Sequence, residues 1–179
     1  MNAADTAWML VSTALVLLMT PALAFFYGGL VRSKNVLNTM MMSFISLGFV
    51  GITWAIVGYS WSFSTGGNYL GDFANIGLKA VGLDPRAGTT IPHYLFMSYQ
   101  GTFCIITAAL ISGAIVERMR FSAYVVFITV WSVVVYAPIA QMTTMMGAMM
   151  EKGMRSMAAN SGTAAFSAAV FSSCLAGLF

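Results

Sequence analysis

Long uncharged stretches dominate this sequence and restrict what it can fold into. Five of them occur, at residues 6–31, 35–71, 87–116, 121–150 and 156–179. Each is at least as long as the ~20 residues that a helix needs to cross ~30 Å of hydrocarbon. None alternates strictly between polar and apolar residues over ~10 positions, as a membrane β-strand would. The pattern predicts an all-α integral membrane protein.

We therefore predict a single membrane domain over residues 1–179 with five transmembrane helices. Their expected bounds are roughly 7–31, 38–63, 92–116, 121–140 and 157–179. Short turns join helices one to two and three to four. A long glycine-containing link at 64–91 is expected to form an irregular surface loop, since glycines and an Asp-Pro pair interrupt it. A shorter link is expected at 141–156.

The composition supports this class and excludes several functions. Charged residues make up 7% of the chain, whereas a soluble domain carries about 25%. The net charge of +3 comes from scattered Lys and Arg, so no basic stripe indicates a nucleic-acid partner. With two cysteines and one histidine in the chain, a cysteine or histidine metal cluster cannot form. We predict no metal site and no cofactor, with the lipid bilayer as the surrounding partner.

The basic residues give the expected orientation. The two short turns hold Arg32, Lys34, Arg118 and Arg120, and four more basic residues fall on the opposite side. The positive-inside rule weights residues in short loops close to helix ends, which favours the short turns as the cytoplasmic side. The amino terminus is therefore expected outside.

Four sequence motifs resemble the ammonium transporter (Amt/Mep/Rh) family. They are AFFYGGLVRSKN at 24–35, YQGTF at 99–103, GAIVERMRFSAY at 113–124 and YAPIA at 136–140. The resemblance is collinear over about residues 3–140. It implies the N-terminal five-helix half of a fold in which two inverted halves enclose the conduction path and subunits form trimers. The expected partners are thus ammonium or ammonia, and either further copies of this chain or a complementary second half.

The resemblance also assigns two candidate substrate-binding residues. Phe103 matches the phenylalanine at the outer vestibule and gate of the family, and Tyr99 matches a neighbouring aromatic one helical turn away. The face of an aromatic ring attracts a small cation by ~1–2 kcal/mol when partly desolvated. Read without the resemblance, Phe103 would be an ordinary core or lipid-facing residue. No catalytic residue is expected, because transport needs no covalent chemistry.

Beyond Ala140 the sequence departs from the family pattern. Thr143 and Thr144 stand where the family carries a vestibule tryptophan. If 161–163 is aligned with the family's Gly-Gly-Thr, Ala158 replaces a buried aspartate and Phe166 replaces a pore histidine. We therefore expect ammonium transport by a partial or divergent form that does not conduct alone at a family-like rate. The alternative is a non-conducting structural or regulatory subunit, or a truncated gene product.

The methionine-rich segment and the single histidine are further features of the sequence. Seven methionines between residues 142 and 157 occupy one half of a helical wheel, which predicts an amphipathic helix at the outer interface. Binding of Cu(I) by their soft thioether sulfurs is the alternative.

His93 follows Pro92 at the expected outer start of the third helix, where it is expected to cap the helix or face headgroups.

Overall fold

The computed structural model describes residues 2–64, 71–79, 81–85 and 89–161, with side chains as far as Gly153. Across these ranges the regular secondary structure is helical, with one isolated bridge between Pro85 and Pro92. The α-helices are α1 (Ala3–Leu30), α2 (Val36–Thr53), α3 (Tyr59–Phe63), α4 (His93–Ile115), α5 (Phe121–Trp131) and α6 (Ala137–Ser161). π-helical segments at Trp54–Gly58 and Ser132–Tyr136 connect α2 to α3 and α5 to α6 without a break, and short 3₁₀ turns lie at Ser33–Asn35 and Phe73–Leu78.

Four helical spans are long and apolar enough to cross a membrane. They are Ala3–Leu30, Ser33–Phe63, His93–Ile115 and Phe121–Gly153, with mean hydropathy between 1.5 and 2.1. The all-α membrane fold expected from the sequence is confirmed. The predicted fifth helix at 157–179 lies outside the described residues except for 157–161, which form the end of α6.

The predicted end of the fourth helix near residue 140 is wrong. α5, the second π segment and α6 form one continuous helix over 121–161, which is about 60 Å long at 1.5 Å per residue. Pro138 lies just after the π segment. Proline has no N–H to bond the carbonyl four residues earlier, that of Val134, and this carbonyl lies within the π segment, where the regular α-helical bonding pattern is already interrupted. Methionines then favour the helix more than Gly147 and Gly153 weaken it. The segment 141–156 is therefore helical, but it continues the membrane span instead of forming a separate link.

The helices pack through small and polar residues. α1 lies against α2 and α4, α2 also contacts α5, and α3 contacts α6. Inside this bundle the hydroxyls of Ser43 and Ser112 share a hydrogen bond of 3.2 Å, and those of Ser46 and Tyr124 share one of 2.9 Å. Hydrogen bonds between side chains help to hold helices together in lipid, where lipid tails are as apolar as leucine and burial gives little driving force.

Two glycines on α4 allow aromatic rings to approach its backbone. A Cβ atom on Gly101 would lie 2.8 Å from Cδ1 of Trp54, and one on Gly113 would lie 2.5 Å from Cζ of Tyr27. Trp54 Nε1 donates to the Met97 carbonyl at 3.2 Å, and the Tyr27 hydroxyl donates to the Leu110 carbonyl at 3.3 Å. These contacts fix α1 and the first π segment against α4.

Hydrogen bonds tie the chain together at both ends of the bundle. At the N-terminal face, Asn2 N donates to the Thr90 carbonyl at 3.0 Å and Thr90 Oγ1 donates to Asp5 Oδ2 at 2.6 Å. At the opposite face, which we call the turn face, Asn35 Nδ2 donates to Glu117 Oε1 at 2.8 Å. The two short basic turns therefore lie side by side, and the amino terminus lies beside the segment that leads into α4.

Candidate functional site

A cavity of about 260 Å³ opens between α3, α4 and α6. Residues from α3, α4, the second π segment and α6 form its wall: Phe63, Gln100, Phe103, Thr107, Tyr136, Ile139, Ala140, Thr143 and Thr144. Its α4 side follows helical geometry, because Gln100, Phe103 and Thr107 are spaced by three and four residues and so share one face. The cavity is thus built where the end of the second span faces the middle of α4 and the start of α6.

The structure brings one of the two expected binding residues into this cavity. Phe103 is half-buried in the wall. Tyr99 is not a wall residue; it packs against Phe103 one turn away, with ring centroids 5.0 Å apart and an interplanar angle of 78°. This edge-to-face geometry directs the positive edge of one ring at the negative face of the other. Tyr99 therefore supports Phe103 and does not line the cavity itself.

An aromatic cluster adjoins the cavity wall and includes Trp54 and Tyr136 from the two π segments. Trp54 lies 6.1 Å from Phe63 and 6.0 Å from Tyr136, measured between ring centroids. Trp131 lies 6.2 Å from Tyr136. The wall residues Phe63 and Tyr136 both pack against Trp54, and Trp54 packs against the backbone of α4 at Gly101. The position of this part of the wall therefore depends on the close approach of Trp54 to Gly101.

Threonine side chains give the cavity a polar part. Thr143 Oγ1 and Thr144 Oγ1 both donate to the Ala140 carbonyl, at 2.9 and 2.8 Å. Across the cavity, Thr107 Oγ1 donates to the Phe103 carbonyl at 2.6 Å. Thr143 and Thr144 are the residues that replace the tryptophan expected from the resemblance, so threonine side chains form this part of the wall.

A buried glutamine holds α6 in place beside the cavity. Gln141 is 1% exposed, and its Nε2 donates to the Ser64 carbonyl at 3.1 Å. This bond joins the residue after Ala140 to the residue after Phe63, so the two wall residues are kept at a fixed separation. It also places the cavity toward the N-terminal face, where α3 ends.

Among the residues that the structure describes, no charged residue lines the cavity. Over the same ranges there is no group of three His, Cys, Asp or Glu side chains that could hold a metal ion. His93 lies outside the cavity at the start of α4, where its Nε2 is 2.5 Å from the Tyr59 hydroxyl and its backbone N donates to the Asp84 carbonyl at 3.0 Å. It is half-buried against the Tyr59 ring and is not among the residues that line the cavity.

Sequence reasoning missed Gln100, Phe63 and Tyr136. Gln100 could have been found, because it lies three residues before Phe103 on the same helical face. Tyr136 could have been found in the same way, because it lies three residues before Ile139 and seven before Thr143. Phe63 could not, since it reaches the cavity through contacts between helices that are distant in sequence.

Comparison with known proteins agrees with this architecture. The family model described as Ammonium Transporter Family matches residues 7–178. The chain is 50% identical over 141 residues to an ammonium transporter of Bacillus subtilis (78% of this chain, 35% of the relative). It is 49% identical over 153 residues to an ammonium transporter of Mycobacterium tuberculosis (76% of this chain, 32% of the relative).

Solved structures show the same fold. Candida albicans Mep2 superposes with a TM-score of 0.70 at 35% identity, covering 78% of this chain and 31% of that one. Saccharomyces cerevisiae Mep2 gives a TM-score of 0.71 at 33% identity, with the same coverage. The chain thus spans about a third of the length of the relatives it matches. The family model extends past Ala140 into the segment where the motif residues differ. This chain belongs to the ammonium transporter family.

Proposed function

We propose that this multi-pass membrane protein takes part in ammonium transport as a partial form that supplies the entrance half of the path. The observation that supports this most is the cavity with Phe103 in its wall, found in a chain whose curated relatives are named ammonium transporters. The proposed substrate is ammonium or ammonia, and no covalent step is involved, so the chain is not an enzyme.

The proposed binding residues are Phe103 and Tyr99. Phe103 lies in the wall at a half-buried position, where attraction between its ring and a small cation would be stronger than in bulk water. Tyr99 packs edge-to-face on it and so fixes the ring's orientation. The apolar side chains of the wall and the absence of charge among its described residues would oppose entry of an ion, because a lone charge is costly to desolvate.

We propose that the N-terminal face is outside the cell. The turn face holds Arg32, Lys34, Arg118 and Arg120 in two short turns, and basic residues in short loops near helix ends stay cytoplasmic. Glu117, the acid of this face, is engaged by Asn35. With this orientation the end of α3, which borders the cavity through Phe63, lies on the outer side.

A complete path needs a further partner, which we propose to be a complementary second half or other copies of this chain. The chain spans about a third of its relatives, and inverted-repeat transporters place their sites between the two halves. Large apolar side chains lie exposed on α1, among them Trp8 at 73%, Leu30 at 70% and Phe25 at 65%. Lipid or an adjoining helical surface would cover them.

The second candidate function is a non-conducting structural or regulatory membrane subunit. It is favoured by the residues at family positions: Thr143 and Thr144 in place of a tryptophan, Ala158 in place of an aspartate and Phe166 in place of a histidine. Phe166 lies outside the described residues. A chain with these replacements could keep the scaffold and still lack groups that the family uses along its path.

A hybrid transporter separates the two functions. Residues 1–140 of this chain would replace the matching part of the Bacillus subtilis relative, and methylammonium uptake would be measured in cells that lack other ammonium transporters. If this half forms a working entrance, the hybrid takes up methylammonium and Phe103→Ala lowers uptake at least about tenfold, since it removes a cation–π contact of ~1–2 kcal/mol together with the gate.

The matched control is Phe49→Ala, which removes a ring of the same size from an exposed position on α2. Its uptake should equal that of the parent hybrid. A hybrid that reaches the membrane in normal amounts but takes up no methylammonium would support the scaffold function and contradict the proposed entrance.

A further inference from the structure

A second cavity, of about 440 Å³, lies at the turn face, where α2 and α5 begin. Four residues of the second span and one ring of α5 line it: Lys34, Leu37, Asn38, Met41 and Phe121. The four residues of the second span are spaced by three and four positions, so they share one side of the helix. Together with the ring they form a groove on the outside of the bundle, which we call the turn-face groove.

The turn-face groove is cationic where it begins at the turn and mainly apolar further along the span. Lys34 belongs to the short turn before α2, and both Lys34 and Asn38 are exposed. Leu37 is 74% exposed and Met41 46%, while Phe121 is half-buried against the core. At 1.5 Å per residue, Met41 lies about 10 Å from Lys34 along the helix axis. The groove can therefore contact a molecule that has a polar end and an apolar end.

The charge around the groove favours an anionic ligand. The two short turns of this face carry four basic residues and one acid, Glu117. The Glu117 carboxylate already accepts a hydrogen bond from Asn35 Nδ2 at 2.8 Å. The face therefore keeps an excess of positive charge beside the groove.

We propose that the turn-face groove binds an anionic phospholipid of the adjoining membrane leaflet. Lys34 pairs with the headgroup phosphate and the Asn38 amide donates a hydrogen bond to it, since both side chains carry N–H donors. Leu37, Met41 and Phe121 cover the first part of an acyl chain. Basic pockets between membrane helices are suited to such headgroups.

Two features favour a lipid over an acidic segment of another protein. The apolar part of the groove belongs to the membrane-spanning helix Ser33–Phe63, where a water-soluble partner would have to enter the bilayer. A phospholipid is already there, with its phosphate at the level of the turns. The groove shares no residue with the cavity beside Phe103, so this inference does not rest on the proposed function.

The test is native mass spectrometry of the purified full chain in detergent micelles, titrated with phosphatidylglycerol or with phosphatidylcholine of the same acyl chains. The parent chain should bind its first phosphatidylglycerol about fivefold more tightly. Lys34→Gln removes the charge and should abolish this preference by weakening phosphatidylglycerol about fivefold, or about 1 kcal/mol, the scale of one basic residue near an anionic headgroup. Its phosphatidylcholine affinity should stay within about twofold of the parent value.

The apolar part of the groove is tested separately. Met41→Ala should weaken both lipids by the same factor, at least about twofold, because it removes apolar contact and no charge. The matched control is Ile52→Ala, at a position on α2 that is 62% exposed and outside the groove, which should bind both lipids as the parent does. Free glycerol phosphate should not displace bound phosphatidylglycerol, since it has no acyl chain.

Two charge controls separate the groove from the rest of the turn face. Lys34→Arg keeps the charge and should bind phosphatidylglycerol as the parent does. Arg118→Gln removes the same charge from an exposed position of this face that does not line the groove, and should change the affinity by less than about twofold. If Lys34→Gln loses helical content, Asn38→Ala provides the comparison one turn along α2.

Several outcomes would overturn the inference. Equal affinity of the parent chain for the two lipids would show that the groove does not recognise an anionic headgroup. Parent-like binding in both Lys34→Gln and Asn38→Ala would remove the groove from the binding site. If Arg118→Gln weakened phosphatidylglycerol as much as Lys34→Gln, the cause would be the general charge of the face. Displacement by glycerol phosphate would point to a phosphate site that needs no lipid.

Discussion

The contact between Asn35 and Glu117 shows how single residues hold the turn face together. Glu117 adopts φ of +61°, a left-handed conformation that side chains with a Cβ atom rarely adopt. Its carboxylate accepts from Asn35 Nδ2 at 2.8 Å. The Asn35 hydrogen bond is the main reason that the pKa of Glu117 lies below its usual value, with further contributions from the Arg32 backbone and from the charges of Arg32 and Lys34. The sequence shows both turns, but not their pairing.

This shift gives a prediction of pH dependence. A carboxylate with a lowered folded-state pKa stabilises the fold fully above its unfolded pKa, and the contribution disappears as pH falls through the folded value. Glu117→Gln should therefore lower the thermal midpoint at pH 7, and its difference from the parent should shrink as the pH is lowered below about 4. Because the side chain is exposed, the effect is small, and scanning calorimetry in detergent at several pH values would measure it. A difference that stays constant with pH would show that the carboxylate charge does not matter.

At the scale of elements, charge patterning predicted four spans that the structure contains, because a helix that crosses lipid cannot carry charges along its length. The predicted link after residue 140 is wrong, because the polar and methionine-rich residues that follow extend the helix to Ser161. The π segments were also not predictable. No local pattern in the sequence marks either segment, although Trp54 of the first one packs closely against Gly101.

The methionine segment is helical, as expected for an amphipathic stretch. Met142, Met146, Met149 and Met150 are between 43% and 64% exposed. An apolar stripe of this kind fits lipid or an adjoining helix. Cu(I) binding by the same sulfurs stays the untested alternative.

The arrangement of spans predicts which residues share a side of the membrane. In a background without Cys104 and Cys174, cysteines placed at Lys34 and Arg120 should react with an impermeant maleimide only in inverted vesicles. Gly82 lies near the start of α4, because Tyr94 N donates to its carbonyl at 3.2 Å. A cysteine placed at Gly82 should react with the maleimide only in intact cells. Reaction of positions 34 and 82 from the same side would contradict the four-span arrangement.

For the whole molecule, the motifs predicted family membership, and the comparisons confirm it. The motifs also pointed to Phe103, but the cavity around it arises from contacts between α3, α4 and α6 that no single segment of sequence displays. Tyr99 illustrates the limit: its one-turn spacing predicted proximity to Phe103, which the structure shows, but not that it would lie behind the cavity wall. The chain spans about a third of the length of its relatives, so under the proposed function a complete path needs a further partner.

The most direct test of this account is ammonium flux into liposomes that contain the purified chain and a pH-sensitive dye. Since this chain supplies only one half of the proposed path, an inward ammonium gradient should change the internal pH no faster than in empty liposomes. Liposomes containing the hybrid transporter, as the positive control, should respond faster. A response of the chain alone that exceeds empty liposomes and is lost on Phe103→Ala would contradict the account and show that this chain conducts without a second half.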